Sequence, residues 1–193
     1  KELTFTLLFS VILGILIFVL LPLFLSKLIT QNRGILFNVI DGIFRVIMFV
    51  IYLLFISRMK DVQRIFQYHG AEHMAVHCYE HKKKLTVENI REFTTLHPRC
   101  GTAFLIIVLI ISIFIFSFIL SESIFVKFFF RLLLIPVVAA ISYEILKLSS
   151  RYQNKLFFKT LIKPGLWFQK ITTKKPDDKQ IEVAIASVKA VLN

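Results

Sequence analysis

The sequence predicts an all-α integral membrane protein, with about four transmembrane helices and additional cytoplasmic amphipathic helices. Three observations carry that reading. Hydrophobic residues make up 56% of the 193 residues and phenylalanine alone numbers 21, more than the core of a soluble domain this small can bury. Stretches near Thr6–Leu28, Ile35–Ser57, Thr102–Leu120 and Phe125–Leu146 each approach the roughly 20 apolar residues that cross a bilayer as a helix. The basic residues are also unevenly spread. Of 24 Lys and Arg, eight lie between Arg58 and Arg99 and ten from Lys147 onward, against two in each connection holding Lys27/Arg33 and Lys127/Arg131. With four spans, both rich segments fall on one side. The excess of positive charge makes that side cytoplasmic, and both termini with it.

The net charge of +12 is accounted for by this topology and by attraction to anionic headgroups. Aromatic and basic residues are not interleaved in the way that grips single-stranded nucleic acid, so the expected partner is the lipid bilayer and not nucleic acid. A homo-oligomer is compatible with the same composition. The chain begins without Met, which reads as a fragment or a processed product.

Residues 1–57 form the first transmembrane hairpin, turning at Thr30–Gly34. Its first span is long and is followed by others, which argues for its retention over cleavage as a signal sequence. The second span carries Asp41 and Arg45 at i,i+4, where an ion pair on one helix face lowers the cost of each charge in hydrocarbon. Residues 58–100 form a histidine-rich helical segment. An amphipathic helix continues from Arg58 to Glu80 with Met59, Val62, Ile65 and Phe66 at helical spacing, and ends at Lys82–Lys84. Thr86 caps a short second helix that must stop before Pro98.

Residues 101–147 form the second hairpin, with Pro136 expected to kink its return span. Residues 148–193 start at the interface, where Phe157, Phe158, Trp167 and Phe168 stand among lysines. Asp177 and Gln180 then form a capping box. The helix it opens has Ile181, Ala184, Ile185, Val188 and Val191 on one face, and that face needs a partner. Cys78 and Cys100 both fall on the cytoplasmic side, where they stay reduced and open to metal ligation.

All five histidines lie between positions 69 and 97, and His69, His73, His77 and His81 recur every fourth residue. On a helix this spacing stacks them on one face, so that two imidazoles one turn apart can bind one ion. Within the ladder, His69-Gly-Ala-Glu72-His73 matches the reversed zinc-peptidase pattern H-x-x-E-H. In that chemistry the histidines hold the metal, which lowers the pKa of a bound water, and the glutamate accepts the proton. His97 and Cys100 precede the third span and Glu144 ends the fourth, so topology brings all three to the membrane level of the ladder. The expected site therefore has Glu72 as catalytic base, with His69, His73, His97, Cys100 and Glu144 as metal ligands. The competing readings are a solvated polar face for the ladder, a buried structural thiol for Cys78, and pairing of Glu144 with Arg99 or Lys147.

Phe66–His73, Leu85–Asn89, Leu96–Thr102, Ser142–Glu144, Pro164–Trp167, Thr172–Asp178 and Gln180–Ala184 resemble the motifs of the YqhQ-like family of bacterial multi-pass membrane proteins. The resemblance covers nearly the whole chain. It implies a bacterial cytoplasmic (inner) membrane location and places His69, Glu72, His73, His97, Arg99, Cys100 and Glu144 in the family's characteristic motifs. It gives no reaction, and it implies a further N-terminal segment rich in Gly and Met that this sequence lacks. The function expected is a divalent-metal site, zinc by its donors, at the cytoplasmic interface. Hydrolysis of a membrane peptide or lipid is its enzymatic form, with a metal carrier or sensor, or a structural scaffold, as alternatives.

Overall fold

The computed structural model describes residues 2–30, 34–152 and 155–192, apart from the side chains of Ser150 and Leu161. The turn expected at Thr30–Gly34 has its residues 31–33 outside the described residues. Eight helices and no strand occur among the described residues, as an all-α chain requires. They are α1 (Glu2–Ile29), α2 (Ile35–Ile56), α3 (Lys60–Glu80), α4 (Val87–Arg91), α5 (Gly101–Ser117), α6 (Ile124–Arg151), α7 (Leu156–Thr172) and α8 (Asp178–Leu192).

Three of them, α1, α2 and α6, are long and apolar enough to cross a membrane, and the protein is an all-α membrane protein. Helix α5 is equally apolar but has 17 residues, so the span expected to reach Leu120 is shorter than the sequence suggests. Its end is set by polar groups: Asn38 Nδ2 donates to Ser117 O and Ile119 O at 3.3 and 3.1 Å, and Lys127 Nζ donates to Ile119 O at 3.0 Å. Donors that cap the last carbonyls of a helix stop it there. Helix α1 widens by one residue over Leu16–Leu20, where Leu21 N–H reaches Leu16 O. Pro22, lacking an N–H, cannot make the i→i−4 bond to Phe18 O, and the wider turn falls just before it.

Two compact units divide the chain, Lys1–Tyr52 with Ile107–Glu144, and Leu53–Ile106 with Ile145–Asn193. In the first, apolar side chains such as Phe9, Phe114 and Phe125 are exposed, as a lipid-facing surface demands. Its interior holds charges. Asp41 accepts from Arg45 at 2.9 Å, as the i,i+4 spacing predicts, and also pairs with Arg131 at 2.9 Å. Asn38 Oδ1 accepts from Lys127 Nζ and Arg131 Nη2, both at 3.1 Å, and Phe116 faces the two guanidiniums. Arg131 and Lys127 are fully buried, which ionised groups tolerate in hydrocarbon only when paired. Helix α6 runs unbroken through Pro136.

The second unit is amphipathic. The helix expected to continue from Arg58 instead breaks over Ser57–Met59, with Met59 extended. Gln63 Nε2 donates to Ser57 O and Arg58 O and so satisfies carbonyls freed by the break. Helix α3 closes at Lys82, whose φ of 56° gives the left-handed turn common after helix ends. One face of α3 carries Ala71, Met74, Ala75 and Cys78, and packs on Ile90 of α4 and on Ile181 and Ala184 of α8. Ile185 and Val188 join this core, giving the C-terminal helix the partner its apolar face demands, while Val191 is left exposed. The capping box is present as read: Gln180 N–H donates to Asp177 Oδ1 and Asp177 N–H to Gln180 Oε1, each at 2.9 Å. The segment between α7 and α8 crosses α3, with Lys174 N–H donating to Phe66 O at 2.9 Å. A Cβ at position 70 would strike the Lys174 carbonyl, so this close crossing needs Gly70.

Candidate metal centre

With its small residues turned to the core, α3 presents His69, His73 and His77 on the opposite side. Facing them is the segment after α4, which runs back along the helix. Gln169 of α7 fixes that segment: its Oε1 accepts from His97 N–H and its Nε2 donates to His97 O, both at 2.7 Å and fully buried. His97 and Cys100 are thereby held against the ladder. The ring centroids of His73 and His97 are 5.7 Å apart and those of His77 and His97 4.6 Å.

The ligand atoms converge in two separate groups. His69, His73 and Cys100 form one, and His77, Glu80 and His97 the other, each with its atoms within 4.8 Å of one another. Hydrogen bonding distinguishes them. His69 Nδ1–H donates to Thr172 O at 2.9 Å and His73 Nδ1–H to Thr95 O at 2.5 Å. Tying one ring nitrogen to a carbonyl leaves the lone pair on Nε2, which is how metal-binding histidines are oriented. His69 Nε2 lies 3.2 Å from Cys100 Sγ.

In the second group His97 Nδ1 accepts from Arg99 N–H at 3.2 Å, so the ring proton sits on Nε2 and points at Glu80, 3.4 Å away. Its lone pair is already in use. Glu80 is further occupied by Arg99 at 3.1 Å. His77 Nε2–H donates to Leu96 O at 2.8 Å.

The electrostatics of the first group follow from the same contacts. Burial pushes the Cys100 thiol up, but hydrogen bonds from His69, His73 and Thr102 outweigh it and bring its pKa down to about 5. Thr102 N–H lies 3.3 Å from Sγ at the start of α5, where helix amides favour an anion. His69 is raised in turn, first by the Cys100 hydrogen bond. His97 is lowered, first by burial and then by His77. The first group therefore combines a readily ionised sulfur with two histidine side chains whose ring nitrogens lie beside it.

Of the sequence-predicted ligands, the fold brings His69, His73 and Cys100 together. His97 borders this trio but belongs to the neighbouring one. Glu144 is an exposed residue of the first unit, and it enters neither group of ligand atoms. Glu72 is exposed on the rim of an open hollow of about 440 Å³ that His69, His73 and Cys100 also line. His81 caps its own helix by donating from Nδ1 to His77 O at 2.8 Å, and Cys78 is core. Residues missed by sequence reasoning are Thr95, Gln169 and Thr172. Two act through main-chain carbonyls, which no side-chain pattern reveals, while Gln169 carries a signal only as a lone amide on an otherwise apolar helix face.

The family model described as "Protein of unknown function (DUF1385)" matches residues 1–193. The chain is also similar to "Uncharacterized protein YqhQ" of Bacillus subtilis (strain 168), at 37% identity over 180 residues, covering 91% of this chain. It spans 56% of the length of that curated relative. No solved structure matches the chain.

Proposed function

The chain belongs to the DUF1385 family, and on that premise we propose that its histidine-rich unit binds one divalent metal ion, zinc by its donor set, through His69, His73 and Cys100. One observation carries this reading: two imidazoles, each fixed through Nδ1 by a backbone carbonyl, turn Nε2 toward a shared thiolate. Two nitrogens and one sulfur form a three-ligand set that leaves a fourth position for water, the arrangement of catalytic rather than structural zinc. The same residues line the hollow rimmed by Glu72, whose carboxylate takes no hydrogen bond among the described residues and would be available as a base toward a water on such an ion. The activity supported best is metal-dependent hydrolysis of a membrane peptide or lipid. His97, with its proton directed at Glu80, serves as a polar wall of the site and not as a ligand.

The distribution of basic residues favours an orientation with this unit on the cytoplasmic side of a bacterial inner membrane, both termini on that same side, and anionic headgroups as partners. Detergent-purified protein should hold one divalent ion per chain, lost in His69→Ala, His73→Ala and Cys100→Ala. Unchanged metal content in these variants overturns the assignment.

The 3.2 Å contact of Cys100 Sγ with His69 Nε2 supports a second reading, a cysteine nucleophile activated by histidine without metal. It predicts rapid alkylation of Cys100 by iodoacetamide in untreated protein, slowed in His69→Ala. A metal-bound thiolate predicts alkylation only after chelation. A carrier or sensor of metal ions uses the same ligands without turnover.

A further inference from the structure

A second hollow, of about 480 Å³, lies in the same unit on the other side of Thr95. Arg91, Lys170, Lys174 and Lys175 line it together with the hydroxyl residues Thr95 and Thr173, and no Asp or Glu does. Two other cations of this unit pair with carboxylates, Lys83 with Glu92 and Arg99 with Glu80. Arg91 pairs with Asp178, which faces the adjoining depression. The ammonium groups of Lys170, Lys174 and Lys175 have no ion pair or hydrogen bond among the described residues. Like charges gathered around one concavity raise its potential and draw in an anion. The floor includes buried Met74 and half-buried Leu96, so the hollow is cationic at the wall and apolar beneath.

We propose that this hollow binds a phosphate group carried on a larger organic body. Ammonium groups act as point charges and hydroxyls as freely rotating donors, a combination that the several acceptor oxygens of a phosphate group can engage from different sides. The volume exceeds that of a bare phosphate and falls within the range of small-ligand pockets, about 300–1,000 Å³. The apolar floor takes the part of the ligand beyond the phosphate.

The hollow and the histidine site share a wall. Thr95 O holds His73 Nδ1, and Thr173 Oγ1 meets Thr95 Oγ1 at 3.2 Å, next to the Thr172 carbonyl that holds His69. The proposal goes beyond the metal reading and stands without it, since no metal ligand lines this hollow.

The phosphate group has two sources, a soluble ester or a lipid headgroup, and one design separates them. The full chain is placed in phosphatidylcholine nanodiscs and titrated with glycerol 3-phosphate. In a second arm the nanodiscs contain phosphatidic acid, and thermal stabilisation is read. Lys174→Gln with Lys175→Gln should weaken whichever response the wild type shows by about tenfold, close to 1.4 kcal/mol. Lys159→Gln with Lys189→Gln removes the same charge outside the hollow and should leave the response intact. Response to the ester assigns a soluble ligand, and response to phosphatidic acid alone assigns a headgroup. No response in either arm, or equal weakening by both pairs, overturns the proposal. Metal content is measured in parallel: its persistence in Lys174→Gln/Lys175→Gln keeps a failure here separate from a failure of the metal site.

Discussion

Each unit of the protein buries a polar cluster, and the two clusters differ in what they leave available. In the first unit Asp41, Arg45, Arg131, Asn38 and Lys127 direct their charges at one another and at the carbonyls ending α5, all at most 8% exposed. In the second, His69 and His73 bind backbone carbonyls with one nitrogen and hold the other toward Cys100 beside an open hollow. The first arrangement spends its polar groups on joining helices; the second anchors one nitrogen of each histidine and leaves the other facing Cys100. Buried ionisable residues inside a membrane are common functional suspects. Here the partially exposed cluster is the better candidate, because its geometry faces outward.

The sharpest test of that contrast is Asp41→Asn, which leaves Arg45 and Arg131 buried with no carboxylate between them. Removing one partner of a buried ion pair costs about 3–5 kcal/mol. Unfolding in detergent should show a loss of this size, with metal per folded chain unchanged. Wild-type stability in Asp41→Asn breaks the comparison.

Chelation of the metal comes next. At free zinc a hundredfold above its Kd, binding stabilises the folded form by about 2.7 kcal/mol, and a thermal melt with chelator should lose that increment. The loss should vanish in Cys100→Ala and persist in Asp41→Asn. Gln169→Ala leaves the His97 main chain unpaired in the interior, at a cost of about 1–3 kcal/mol per buried group, and lets the segment bearing Cys100 shift. Both melting temperature and zinc affinity should fall, whereas a purely structural role for Gln169 lowers the first alone.

Glu72→Gln has the smallest effect on the molecule and the largest consequence for the reading. A base that does not ligate the ion predicts metal content and stability unchanged, within about 0.5 kcal/mol for a surface substitution, while any turnover is abolished. A fall in zinc affinity of about 10–100-fold instead identifies Glu72 as a partner orienting the ligands, and counts against hydrolysis.

The membrane character was legible because it is compositional: runs such as Ile35–Ile56 announce themselves. So were the Asp41–Arg45 pair and the capping box of α8, since both depend on spacing within one helix. The break at Ser57–Met59 was not, because Arg58 and Met59 fit the amphipathic period of α3, and the Gln63 side chain that stabilises the break lies inside that helix. At the site, the ladder was read from its four-residue spacing and Cys100 from its place before a span. Glu144 was added from membrane level and from its place in a family motif, and neither fixes where on a helix a carboxylate points. Which nitrogens of the two trios are left to ligate depends on which ring nitrogen carries each proton. Carbonyls from distant segments decide that, and every residue type has the same carbonyl.

The bond from His69 to Thr172 spans 103 positions of sequence. During synthesis the histidine leaves the ribosome long before its partner, roughly 5–20 s earlier at ordinary elongation rates. Throughout that interval either ring nitrogen can carry the proton, and Cys100 arrives beside a histidine whose tautomer is not yet chosen. On the metal reading, loading with the correct coordination chemistry would be a late event in biogenesis, after the spans have been inserted and the crossing segment has settled over Gly70.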